Sequence, residues 1–178
     1  MIVSEEEFDV DAVRARWVGA VIGRSEARYP VEYDPIRRYC HMTGELNPLY
    51  LDPDAAARGP YGRVMCPPGF VVYFMGSGPW PRPHGEPSAL PKDIPRLGNR
   101  AVNMGIDWTF TAPVLVGDRL VTDWTVEDVF VKPTRLDPMS VWIATSGTVT
   151  NDRGVHVATY RNTVMYHRPP KRREVRDD

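Results

Sequence analysis

Residues 66–78 read Cys66-Pro67-Pro68-Gly69-Phe70-Val71-Val72-Tyr73-Phe74-Met75-Gly76-Ser77-Gly78, and Phe70 to Met75 is the longest uninterrupted apolar run in the chain. Six residues are far fewer than the ~20 that span a bilayer. Prolines at the mouth of the run and glycines at its exit favour a helix over a strand, since proline presets the first helical turn and glycine ends the last. A helix apolar all round has to be covered on every side. The cover lies downstream, where the hydrophobic period changes to two. Leu120, Thr122, Trp124 and Val126 alternate with Val121, Asp123, Thr125 and Glu127. Met139 to Val149 alternates in the same way, and Val155 to Tyr166 is a further long run, joined to it by the hairpin-type turn Asn151-Asp152-Arg153-Gly154. Residues 100–110 make another strand, ending before Ala112-Pro113. Helices followed by antiparallel strands predict an α+β fold, with a strongly curved sheet wrapped around a long central helix. Such a sheet keeps open edges, so pairing with a second copy or a related subunit is expected.

Upstream of the apolar run the periodicity is helical. Phe8, Ala12, Val13, Trp17, Val18 and Val21 suggest a first helix, with Ser4 and Glu7 as a capping box and Gly23 as its stop. Asp34-Pro35 supplies a second start, closed by Gly44, and Asp52-Pro53 starts a short turn through Ala55-Ala56-Ala57. Between the two halves, Pro79, Pro81, Pro83, Pro87, Pro91 and Pro95 crowd one stretch that excludes regular structure and has the length of a lid or binding loop. The reading is one domain over residues 1–167, beginning with a helical extension, and a charged flexible tail over 168–178.

Of 178 residues, 42% are hydrophobic and 25% charged, which are globular values. A formal net charge of −1 provides no basic field for nucleic acid. Two cysteines, Cys40 and Cys66, are too few for a disulfide framework and fit a reducing compartment. Acidic residues at the start, Glu5, Glu6, Glu7 and Asp9, are the opposite of a signal peptide's cationic opening. A cytoplasmic protein with no membrane span is the expectation. The histidines His41, His84, His156 and His167 have no paired metal spacing, and neither a Walker loop nor G-x-G-x-x-G is present, so no metal or nucleotide cofactor is expected.

The chemistry concentrates in Thr43-Gly44-Glu45-Leu46-Asn47-Pro48-Leu49-Tyr50-Leu51-Asp52. This segment resembles the hydratase motif Gly-Asp-x-Asn-Pro-φ-His of the MaoC-like hot-dog family. Further matches follow in family order: Ala55-Ala56-Ala57-Arg58 after the motif, Gly62-Arg63-Val64-Met65-Cys66-Pro67-Pro68 at the approach to the central helix, and Phe110-Thr111-Ala112-Pro113-Val114-Leu115-Val116-Gly117-Asp118 like the family's Phe-x-x-Pro-φ-x-x-Gly-Asp. The resemblance covers about residues 28–167 and is nearer the branch of N-terminal, FAS1-like dehydratase domains. It implies a single hot-dog fold and action on acyl thioesters, with coenzyme A or an acyl-carrier protein bearing the substrate.

In that family the Asp and His of the motif act together on the water at the β-carbon, and the Asn steadies the loop. Here Glu45 stands for Asp and Tyr50 for His; Asn47 is kept. A phenol with an ordinary pKa near ~10 is a poor base at neutral pH, where imidazole is poised. The resemblance therefore implies a subunit of an enoyl-thioester hydratase or 3-hydroxyacyl dehydratase that shapes the acyl site, while a partner with the intact pair supplies catalysis. Homodimer and heterodimer both remain open. So do two other readings, a thioesterase using Glu45 and a non-catalytic acyl-thioester-binding module. Glu45, Asn47 and Tyr50 occupy the catalytic positions. Cys66, Gly69, Phe70 and Trp80 are the candidate substrate-binding residues, with the Gly69 and Phe70 amides expected to face a thioester carbonyl. Each also has a plainer reading: Glu45 an exposed acid, Asn47-Pro48 a turn, Tyr50 a half-buried aromatic, Cys66 a small core residue.

Overall fold

Strand β4 (Val141–Asn151) runs down the middle of the sheet and is buried on both faces through Gly147. In the computed structural model, which describes residues 1–76 and 93–169, four more strands flank it: β1 (Val21–Glu26), β2 (Arg100–Phe110), β3 (Leu120–Val131) and β5 (His156–His167). Their order is β1-β3-β4-β5-β2, with every neighbouring pair antiparallel. Register places Val126, Thr145 and Asn162 side by side, then Trp124, Gly147, Tyr160 and Trp108 in the next row. This is the face that carries the core. One hydrophobic cluster gathers Ile36, Cys40, Cys66, Val71 and Phe74 against Val149 of the sheet; a second gathers Val13, Ile94 and Leu97 against Val129 and Ile143. The α+β hot-dog architecture expected from the sequence is present.

The covered helix is shorter than its sequence suggests. Pro68–Phe74 forms a 3₁₀ helix, buried at Val71 and Phe74 while Val72 and Tyr73 are 57% and 62% exposed. Three residues per turn send positions 71 and 74 to one side and leave their neighbours outside. Two prolines at the entrance withhold amide donors, and Gly76 leaves the segment at φ +80°.

The other helices are α1 (Val10–Trp17), α2 (Tyr33–Thr43), α3 (Pro48–Leu51) and α4 (Pro53–Arg58). The first differs from expectation at both ends. Asp9, not Ser4, caps α1 by accepting the amides of Asp11 and Ala12 at 2.9 and 3.1 Å, although Ser4 and Glu7 do bond in the turn before it. Val21 belongs to β1, because the β-branched pair Val21-Ile22 follows a left-handed Gly19 and then pairs with β3. Glu32 precedes α2, and Asp34 spends its carboxylate within the first turn on Arg37 and Arg38, at 2.6 Å each. Gly44 ends α2 at φ +71° and Asp52 caps α4, both as read from sequence.

Arg168 is bound rather than free. Asp137, 2% exposed, holds it with both oxygens at 2.6–2.9 Å, and Glu5 takes its other end at 2.6 Å. The rest of the segment read from sequence as a tail, from residue 170 onward, lies outside the described residues. No described helix is long and apolar enough to cross a membrane.

Candidate functional site

The left-handed Gly44 swings the chain out of α2 and into the motif loop. Glu45 turns back on itself, its amide donating to the Cys40 carbonyl at 3.0 Å and its Oε1 accepting from the Asn47 amide at 2.8 Å. Asn47 then caps α3 by accepting the Leu49 amide at 3.0 Å, with Pro48 in the first helical position. Tyr50 stands on this one-turn helix. Two further segments lie against it like successive ribs: Met65 donates its amide to the Leu49 carbonyl at 3.0 Å, and Cys66 donates to Val114 at 2.8 Å.

These ribs bring the sequence-derived residues together. Tyr50 packs on the cluster containing Cys40, Cys66 and Val71. Burial pushes its phenol above the ordinary value, and the Glu45 carboxylate pushes it further the same way. Both effects take the phenol further from the range of a base poised at neutral pH. Cys66 is 2% exposed, and burial, with Cys40 beside it, pushes its thiol up to about 12. It is a core residue and not a nucleophile. Burial also raises Cys40, with Glu45 adding to the effect.

Phe70 lies between two rings, Tyr39 at 4.4 Å and Tyr73 at 4.7 Å, both nearly parallel to it. Gly69 sits under the Tyr39 hydroxyl: a Cβ there would come within 3.0 Å of that oxygen. One expectation fails here, because the Phe70 amide is already spent on the Pro67 carbonyl at 2.9 Å. The tight 3₁₀ turn is the cause. Beside this group a cavity of about 260 Å³ opens, with walls that include Tyr61, Met65, Cys66, Val71, Thr111 and Pro113. Trp80 and His84 lie outside the described residues. His156 is exposed, between the Thr111 and Thr159 hydroxyls at 3.4 and 3.0 Å. Among the described residues no three His, Cys, Asp or Glu side chains are grouped to hold a metal.

Sequence reasoning treated Tyr39 and Cys40 only as helix packing positions, and Asp118 only as part of a signature. The missed signal is their spacing: Tyr39 and Cys40 fall on the last turn of α2, directly before the motif, where the helix must face it.

A model of the FAS1-like, dehydratase domain region matches residues 16–160. The chain belongs to this family. A UPF0336 protein of Streptomyces avermitilis is 33% identical over 106 residues, 57% of this chain and 63% of that protein. UPF0336 protein SCO4636 of Streptomyces coelicolor is 30% identical over 118 residues, 62% and 71% respectively. The chain thus spans less than two-thirds of the first relative's length. Solved structures share the fold: the ChsH1-ChsH2 complex from Mycobacterium tuberculosis has a TM-score of 0.67 at 20% identity, covering 90% of this chain and 95% of that one. R-Hydratase PhaJ1 from Pseudomonas aeruginosa reaches 0.57 at 18%, covering 85% and 82%. The HadBC (3R-hydroxyacyl-ACP dehydratase) complex from Mycobacterium tuberculosis reaches 0.53 at 20%, covering 83% and 99%. These structures, all under 25% identical to the chain, share its hot-dog fold.

Proposed function

We propose that this chain is the substrate-shaping subunit of an enoyl-thioester hydratase or 3-hydroxyacyl dehydratase, and that a partner hot-dog subunit with an intact Asp and His pair carries out the proton transfers. The observation that carries the reading is Tyr50: it occupies the position of the family's imidazole, in a loop still built by Asn47 and Pro48, and its phenol is pushed further from neutrality by burial and by Glu45. Glu45 is committed to the Asn47 amide, which argues against its use as a water-activating base in a thioesterase.

The partner has a surface to meet. Edge strand β2 is exposed at ten of its eleven positions, with Val102, Met104, Ile106 and Phe110 among them. An exposed edge of that length and apolarity is a pairing site. The substrate in this reading is a thioester of coenzyme A or of an acyl-carrier protein, handled in the cytoplasm, with the cavity beside Cys66 and Val71 taking part of its chain.

The test is co-expression with candidate motif-intact hot-dog subunits, followed by enoyl-thioester hydration assays on the purified complex and on each component. Activity is expected from the complex and not from this chain alone. Full activity from this chain by itself overturns the proposal, as does a stable complex whose partner works equally well without it.

A further inference from the structure

Asp118 has no exposed surface, and two cations from distant parts of the chain meet on it. Its Oδ1 takes Arg63 at 3.3 Å and Arg153 at 3.1 Å. Its Oδ2 accepts the Leu115 amide at 3.2 Å and the Asn151 side-chain amide at 3.3 Å. A buried carboxylate needs one counter-cation. The second is surplus, and it is gathered here in a chain whose net charge is −1.

Both guanidiniums are pinned yet open. Arg63 also donates to the Val116 carbonyl at 3.1 Å, and Asn151 Oδ1 fixes the turn bearing Arg153 by accepting the Arg153 and Val155 amides at 3.1 and 3.0 Å. Even so, the two side chains are 39% and 50% exposed, so donors remain on their outer edges. Planar forks held at one point and open on the outside match the oxygens of a phosphate. The neighbouring charges leave this intact. Arg119 spends its guanidinium on the carbonyls of Ala27 and Arg28 at 3.2 and 2.6 Å, and Asp152 turns to the Arg119 amide at 3.3 Å.

The pair also has a place relative to the cavity. Arg63 lies two residues, about 7 Å of extended chain, from Met65, which lines the cavity and bonds to α3 beside Tyr50. Leu115, whose amide holds Asp118, follows Val114, also in the cavity wall.

We propose that Arg63 and Arg153, set by Asp118, bind the phosphorylated end of a pantetheine arm, the group shared by coenzyme A and acyl-carrier proteins. This deepens the reading above and rests on it for the thioester. The test is calorimetric titration of the full chain with coenzyme A, 4′-phosphopantetheine, pantetheine, acyl-pantetheine and inorganic pyrophosphate, on wild type, Arg153→Gln and Arg153→Lys, each checked by thermal melting. Coenzyme A and 4′-phosphopantetheine should bind at least ten-fold more tightly than pantetheine, and increasingly weakly as salt rises. Arg153→Gln should remove most of that advantage and leave pantetheine unchanged, while Arg153→Lys should keep part of it. Equal binding of coenzyme A and 4′-phosphopantetheine assigns the contact to the phosphate both carriers share and supports the site; an advantage confined to coenzyme A assigns the contact to the nucleotide end and overturns it. It is overturned if phosphate confers no advantage on wild type, or if Arg153→Gln weakens pantetheine as much as its phosphate ester. If Arg153→Gln unfolds, Arg153→Lys and the salt dependence of wild type decide. Pyrophosphate bound through Arg153 with no binding of acyl-pantetheine would sink the thioester reading and leave the anion site standing. Acyl-pantetheine binding with no response to Arg153 would do the reverse.

Discussion

Replacing Asp118 with Asn removes one charge and almost no volume, so its cost measures what the carboxylate holds. All four acceptor positions are filled: Arg63 and Arg153 on Oδ1, the Leu115 amide and Asn151 on Oδ2. An amide has only one accepting end, so its NH₂ must face donors either way. Turned toward Oδ2, it would strand a buried backbone amide and the side chain of Asn151, itself 3% exposed, at about 1–3 kcal/mol each. Turned toward Oδ1, it meets two arginines that are 39% and 50% exposed and can swing into water. The second arrangement wins. Its cost is the loss of two partly screened ion pairs to a buried carboxylate, about 2–3 kcal/mol, below the full penalty for breaking a buried pair because the arginines are rehydrated. In a chain of this length that lowers the melting temperature by about 4–12 °C. Differential scanning calorimetry of Asp118→Asn, Arg153→Gln and the double variant checks it, and the double variant should cost little more than Asp118→Asn alone. A melting temperature within about 1 °C of wild type would refute the reasoning, since the hydrogen bonds alone would then suffice.

Restoring Glu45→Asp and Tyr50→His together should give this chain measurable enoyl-thioester hydration, read as loss of the enoyl absorbance, where wild type alone shows none. Asp137, held far below the usual carboxylate range by Arg168, contributes stability that is present above pH ~4 and drains away as pH falls through its folded value. Asp137→Asn should therefore lower the unfolding free energy, read by urea titration at pH 7, by about 2 kcal/mol, and the gap to wild type should narrow below pH 4. With Cys66 pushed up to about 12 and Cys40 also raised, neither thiol should react with a disulfide reagent at pH 8 until denaturant is added; prompt reaction in the native state would contradict their burial.

The strands were legible because burial on one face writes a period of two directly into β3, and because Asn151 to Gly154 can only turn. The caps at Asp52 and Gly44 were legible because their chemistry is local. What escaped was decided by geometry across the chain. Nothing local to Phe70–Met75 distinguishes an α-helix from a 3₁₀ helix, and nothing in Val21 and Gly23 announces pairing with Thr125 and Trp124 a hundred residues away. The site was legible as a motif but not as a chemical environment. Tyr50 could be named from the sequence, whereas the burial that chiefly raises its phenol depends on packing against Cys66 and Val71, which only folding brings to it. Asp118 shows the same limit, since Arg63 and Arg153 lie 55 and 35 residues from it.

The surfaces the fold leaves uncovered adjoin the site. Val72 and Tyr73 are exposed on the same short helix that buries Val71 beside Cys66, and Ile106 and Phe110 are exposed on the strand that carries Trp108 into the same cluster. Tyr73 stacks on Phe70, Phe70 stacks on Tyr39, and the Tyr39 hydroxyl overlies Gly69. A subunit covering Tyr73 would therefore press through two ring contacts onto the backbone where a thioester is expected to lie, and fixing those rings would remove rotamer freedom that the lone chain keeps. In the proposed complex, a partner covering Tyr73 would order the Tyr39-Phe70-Tyr73 stack as well as supply the imidazole that Tyr50 replaces.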